Sequence, residues 1–195
     1  MRVLYTKALG ATLAPVGIHT LVLLRHGEYD TSDVGTFGLT ARGRRQAELA
    51  GAALTGGGIE RVVSSTMVRA RETAEIVCGK LGAAPKATPL LAEGMPTRLK
   101  SSKITEAEVR ADLARLAEAY TKYFRPLPRA RTDLLVCHAN VIRYFVTRAL
   151  GIRVGAWTRL VANHCSITRI LVLPSGATRL ASYNETGHLT PDTLT

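Results

Sequence analysis

Two short runs, TLVLL at residues 20–24 and DLLVC at 133–137, constrain the fold of this chain more than any other feature. Both are too short for a buried helix and lack the alternation of a half-wet strand. They read as strands covered on both faces, as in a parallel sheet between helices. The stretches around them fit that frame. Residues 41–55 have helical character, with Thr40 as an N-cap and Gly56-Gly57-Gly58 as a stop. Residues 60–64 read as a strand and 67–81 as a helix capped by Ser65 or Thr66. A short strand fits 87–91. In 106–124, Val109, Leu113, Leu116, Tyr120 and Tyr123 share one helical face, and Thr105 and Glu108 have capping-box spacing. A helix over 141–150 closes at Gly151, and 166–173 with 177–183 read as a hairpin around Pro174-Ser175-Gly176. Alternation of this kind predicts an α/β sandwich with a mainly parallel sheet.

In such sheets ligands bind at the carboxyl ends of the strands, and here those ends carry unusual residues. The first run stops at Arg25-His26-Gly27, and the second delivers His138. Asn140 is placed to cap the helix that follows, whose N-terminus suits an anion. In VVSSTMVRARETA the strand ends at Ser64-Ser65, and Arg69 falls in or just before the first helical turn. If the strands are neighbours, two imidazoles and two guanidinium forks converge on one point, a pocket for a dianion.

Arg25-His26-Gly27, LTARGRRQA at 39–47, SSTMVRARETA at 64–74, Glu93 in LLAEG and His138-Ala139-Asn140 together resemble the histidine phosphatase superfamily, with its phosphoglycerate-mutase-like fold. VCHANVIRYFVTRALG, SITRILVLPSG and NETGHLTPD are similar to its mitochondrial serine/threonine protein phosphatase branch. The resemblance implies a three-layer α/β/α sandwich whose six-stranded sheet is mostly parallel, with one antiparallel strand. It implies that His26 attacks phosphorus to form a phosphohistidine. Arg25, Arg69 and His138 would hold phosphoryl oxygens, with a contact from Asn140. Glu93 would protonate the leaving oxygen and then activate water. Gly27 would allow close backbone approach to the phosphate and a turn that a Cβ resists. The scheme requires no metal and no cofactor.

Weaker signals have plainer readings. Thr40 and Gln46 read as structural, His164 as packing or support near the site, and His19 and His188 as structural or exposed. The Tyr120, Tyr123 and Phe124 stripe reads as helix core. Arg98, Lys100 and Lys103, in the segment 94–105 that follows Glu93, either read acidic groups beside a phosphate or are solvated.

Size and composition set the outer bounds. A chain of 195 residues predicts one domain, taken as 20–195 after a leading segment 1–19. The N-terminus lacks the aromatic- and Asp-rich multimerisation motif of the mitochondrial relatives. No apolar run approaches the length of a membrane span. The formal charge of +11 comes mainly from scattered arginines rather than a basic block, which argues against a nucleic-acid surface. Cys78, Cys137 and Cys165 lie far apart in apolar contexts and read as buried hydrophobes in a reducing compartment; a cytoplasmic location is the expectation. The partner implied is a phosphorylated protein or peptide, with a homodimer left open. A small phosphoester is the alternative, through metabolite phosphatase or mutase action. Against it, only 11 residues, 28 to 38, separate Gly27 from Leu39, and GMPTRL follows Glu93, both unlike phosphoglycerate mutases. A non-catalytic phosphoprotein-binding module is the reading from another class.

Overall fold

The computed structural model describes residues 17–32, 35–98 and 103–195. The leading segment up to residue 16, and Lys100 within the segment after Glu93, lie outside the described residues. The chain runs β1 (His19–Arg25), α1 (Ala41–Leu54), β2 (Ile59–Ser65), α2 (Val68–Leu81), β3 (Pro85–Thr88), α3 (Glu106–Tyr123), β4 (Arg131–Cys137), α4 (Ala139–Ala149), β5 (Ile167–Val172) and β6 (Thr178–Glu185). The strands form one sheet in the order β3-β2-β4-β1-β5-β6. β1, β2, β3 and β4 are parallel, and β5 runs against both β1 and β6. The expected six-stranded sheet with one reversed strand is therefore the observed one.

The pleat of the two central strands makes the layers. On β1, Leu21 and Leu23 pack with β4 residues Leu135 and Cys137 against Leu116 of α3 and Ile142 and Phe145 of α4. Val22 and Leu24, with Leu134 and Val136, face the other way onto Ala47 and Ala50 of α1 and Ala74 and Val77 of α2. Adjacent residues thus serve opposite cores, which is why 21–24 and 134–137 are apolar throughout. Each large side chain removed from water contributes ~1.5–3 kcal/mol. All three cysteines are buried and free.

Several local expectations hold. Thr40 caps α1 through Gly43 N, and Thr105 and Glu108 form a reciprocal capping box on α3. Three differ. The third strand covers Pro85–Thr88, not 87–91, because Pro89 opens a single 3-10 turn over Pro89–Leu91 that Thr88 caps. α2 starts after Met67, without a side-chain cap. α4 starts at Ala139, with His138 in the N-cap position. Asn140 is thus inside the first turn and is not the cap that its side chain suggests.

Candidate active site

β1 and β4 are paired with Arg25 opposite Cys137, so the next residues, His26 and His138, leave the sheet side by side. Their ring centroids are 5.0 Å apart, and both side chains are buried. The His26 backbone N–H donates to Cys137 O at 3.0 Å, which prolongs the ladder by one bond. The His26 ring is oriented at both nitrogens. Nδ1 lies 2.8 Å from Gly27 O, a carbonyl that can only accept. Arg69 Nε donates to Nε2 at 3.2 Å. Nδ1 therefore carries the proton, and the Nε2 lone pair is the one that accepts from Arg69.

The ring is also kept neutral. Burial first, then the neighbouring His138 and the Arg25 charge, hold the His26 pKa well below the usual imidazole value. His138 is lowered to about 3 by burial, with Arg69, Arg25 and Arg115 adding to it. Its Nε2 meets Ser65 Oγ at 2.9 Å, and its Nδ1 is buried without a hydrogen-bond partner.

The guanidinium groups come from the end of β1 itself and from the start of α2. Arg25, the last residue of β1, donates Nη1 to Ala162 O at 2.7 Å, and its Nε is buried without a partner. Burial holds Arg25 below its ordinary value, with Glu93 opposing and Arg143 reinforcing. Arg69 enters from the first turn of α2 and lies 4.6 Å over the Tyr29 ring. Among the described residues, no ion pair joins Arg25 or Arg69 to a carboxylate.

Glu93 reaches the same place from the loop after the 3-10 turn. Its Oε1 accepts from Gly94 N at 3.4 Å and from Asn140 N at 3.3 Å. Burial raises the carboxyl above its ordinary range, although the two backbone donors and the Arg25 and Arg69 charges pull it down. The acid and the first turn of α4 are thus linked directly. Asn140 enters through its backbone N–H, while its side chain contacts Met95 Sδ and Arg143.

All six residues picked from the sequence lie together at this sheet end. The reason given for Gly27 needs correction. Its φ is not positive; a Cβ there would collide with the Gly43 carbonyl oxygen, so the glycine lets this loop sit on the start of α1. Three contributors were missed. Ser65, read only as a cap, holds the His138 ring. Tyr29 stands edge-on to His26 at 5.3 Å as well as under Arg69. Arg115 hydrogen-bonds the loop of Glu93. Tyr29 was signalled by an aromatic three residues past His26; Arg115 had no sequence signal, being one charge on a charged helix. His164 lies 5.6 Å from His26 and is lowered to about 4 by burial, with Arg25 adding to it. Thr40 and Gln46 are structural as expected, with Gln46 Oε1 accepting from Glu28 N at 2.7 Å. Of the cations after Glu93, Arg98 and Lys103 are exposed. Among the described residues, no group of three or more His, Cys, Asp or Glu could hold a metal ion.

The fold and this constellation define a class, and similarity to known proteins agrees with it. The profile of the histidine phosphatase superfamily (branch 1) matches residues 21–121 and 96–186, and the chain belongs to that superfamily. It is a phosphoric monoester hydrolase. It is 39% identical over 198 residues to a Drosophila pseudoobscura protein named serine/threonine-protein phosphatase Pgam5, mitochondrial, covering 94% of this chain and 68% of the relative. The Caenorhabditis elegans protein of the same name is 38% identical, covering 89% of this chain and 65% of the relative. The chain thus spans about two thirds of the length of these relatives. Among solved structures, the phosphoglycerate mutase of Plasmodium falciparum superposes with a TM-score of 0.62 at 28% identity, covering 88% of this chain and 92% of that one.

These names overturn the expected cytoplasmic location, since both relatives are named mitochondrial. Buried free thiols indicate a reducing milieu, which more than one compartment provides, so cysteine usage had no power to decide. Among the described residues, no helix is long and apolar enough to cross a membrane.

Proposed function

We propose that this phosphatase acts through a phosphohistidine on His26, without a metal, on phosphoserine or phosphothreonine in proteins or peptides. One observation carries the reading: a neutral, oriented imidazole stands among arginines that have no carboxylate partner. A phosphoryl group entering there takes the Arg69 donors onto its oxygens and frees His26 Nε2 to attack in line. Arg25 supplies further donors. The Ser65 hydroxyl, donating to His138 Nε2, leaves the proton on His138 Nδ1, ready for another oxygen.

As the N–P bond forms, the ester O–P bond breaks, and the leaving alkoxide takes a proton from Glu93, whose raised pKa suits that donation. Water then attacks phosphorus and gives its proton to the Glu93 carboxylate. The N–P bond breaks, and inorganic phosphate leaves with His26 neutral again. Asn140 N–H and Gly94 N–H stabilise the Glu93 carboxylate between the two steps.

The protein-substrate half of the proposal is supported by the names of the relatives at 38–39% identity, which also point to mitochondria. The test is kcat/KM on a phosphothreonine peptide, free phosphoserine, 3-phosphoglycerate and an aryl phosphate, with and without EDTA. His26→Ala is expected to lower turnover on the order of 10⁴-fold or more, and EDTA to leave it unchanged. A ten-fold or greater preference for the peptide, ~1.4 kcal/mol in transition-state binding, is the expected ranking. A preference for a small phosphoester moves the substrate to metabolism, and phosphate transfer between positions of 3-phosphoglycerate with little free phosphate identifies a mutase. Full activity in His26→Ala rejects the mechanism.

A further inference from the structure

Glu93 sits on a loop, outside every strand and helix. We propose that Arg115 and Asp112 of α3 are its positioning residues, a clamp that sets the carboxyl at the leaving oxygen; this rests on the reading of Glu93 as the acid. The contacts converge on four residues of the segment 90–95. Arg115 Nη1 donates to Ala92 O at 2.5 Å and to Leu90 O at 3.4 Å. Arg115 Nη2 donates to Glu93 O at 3.1 Å and to Asp112 Oδ1 at 2.7 Å. The other carboxylate oxygen, Asp112 Oδ2, accepts from Met95 N at 2.8 Å. The ion pair therefore fixes the backbone on both sides of Glu93, through carbonyls before it and an N–H after it.

Gly94 completes the device. A Cβ there would collide with Arg115 Nη2 and with the Asp112 carboxylate, so the clamp closes only over a glycine. The pair is about four-fifths buried, with side-chain exposures of 21% and 22%. That is well beyond what an ordinary surface i, i+3 pair shows, and an interior guanidinium used on three backbone carbonyls is committed to holding a loop. Further along, Trp157 Nε1 donates to Thr97 Oγ1 at 2.8 Å, which holds the same segment where it turns away. The hydrogen bonds of Arg115 and Asp112 all go to the Glu93 loop or to each other, so the clamp acts on Glu93, and the Arg115 charge reaches His138 only at longer range.

The leaving group distinguishes positioning from general structural support. An alkoxide needs the Glu93 proton, whereas 4-nitrophenolate leaves without one. Single-turnover phosphoenzyme formation is measured with a phosphothreonine peptide and with 4-nitrophenyl phosphate, for the wild type, Glu93→Gln, Arg115→Ala, Arg115→Lys, Asp112→Asn and Gly94→Ala. The clamp predicts that Arg115→Ala and Gly94→Ala slow the peptide reaction on the order of 10²-fold and the aryl reaction only a few-fold. Arg115→Lys and Asp112→Asn show the same bias at smaller size and keep the test open should the other two fail to fold. A bias in Glu93→Gln without one in any clamp variant overturns the clamp alone. Equal losses on both substrates in Glu93→Gln overturn the acid assignment and the clamp with it.

Discussion

The same two strands present histidines and arginines at both of their ends, and the two ends are built to opposite charge rules. At the amino end, His19 opens β1, and its Nε2 meets Asp133 Oδ2 at 3.0 Å, with Nδ1 3.1 Å from Arg125 O. Arg61 and Arg131 reach the same Asp133 oxygen at 2.6 and 2.9 Å. Burial alone raises the Asp133 carboxyl, yet the bonds from His19 and Arg131 and the Arg61 charge hold it below its ordinary range. At the carboxyl end, His26, His138, Arg25 and Arg69 gather with no such partner. Glu93, a carboxyl among them, is pushed the other way, towards its protonated form. A cation cluster supplied with its own anion is accounted for as structure; one left without it is the candidate for binding an anion from outside, as the proposed function requires. A cavity of about 590 Å³ adjoins the amino-end cluster, lined in part by Arg61, Lys86, Arg129 and Arg131.

The contrast can be broken most forcefully at the amino end. Asp133→Asn leaves buried His19 and two partly exposed arginines facing an uncharged amide and is expected to cost ~2–3 kcal/mol of stability, less than a fully buried pair because water screens the arginines, read by denaturant unfolding, while kcat/KM at a temperature where the variant is folded stays within about two-fold. A large loss of activity without a loss of stability would reverse the roles of the two ends.

Arg69→Ala should do the opposite. Removing one donor to the phosphoryl oxygens is expected to lower kcat/KM ~10²–10³-fold with little change in Tm, because the cation has no carboxylate to abandon. Destabilisation as deep as that of Asp133→Asn would show that the carboxyl end is held together in the same way as the amino end.

The smallest effect is on pH and follows from the neutral imidazoles. His138 and His164 are lowered to about 3 and about 4 when folded but titrate near 6.5 when unfolded. The unfolded chain therefore binds protons first. The stability these rings contribute is complete above pH 6.5 and is lost as pH falls towards their folded values, by ~1.4 kcal/mol per pH unit for each ring. Unfolding free energy measured between pH 7 and 4 should fall with decreasing pH, and more gently in His138→Asn. A flat profile would mean that these rings are not held neutral.

Much of this molecule was legible in its sequence, and the residues that were not share a cause. The apolar stretches 21–24 and 134–137 announced doubly covered strands because a side chain on either face of the pleat needs an apolar neighbour. His26, His138 and Arg69 were readable because strand and helix ends are local events. Thr105 and Glu108 capped α3 as written, since a capping box spans four residues. His19 was left undecided between core and surface because nothing within its own segment reveals Asp133, 114 positions away.

The chain's own order thus determined the doubly covered strands and which residues stand at their ends. Tertiary structure alone decided the pairing of β1 with β4 in a register that sets His26 beside His138. It also decided the burial that keeps those rings neutral, the backbone N–H through which Asn140 meets Glu93, and the clamp from α3. These depend on contacts between distant segments, whose dielectric and geometry do not exist until the sheet and helices have closed over them.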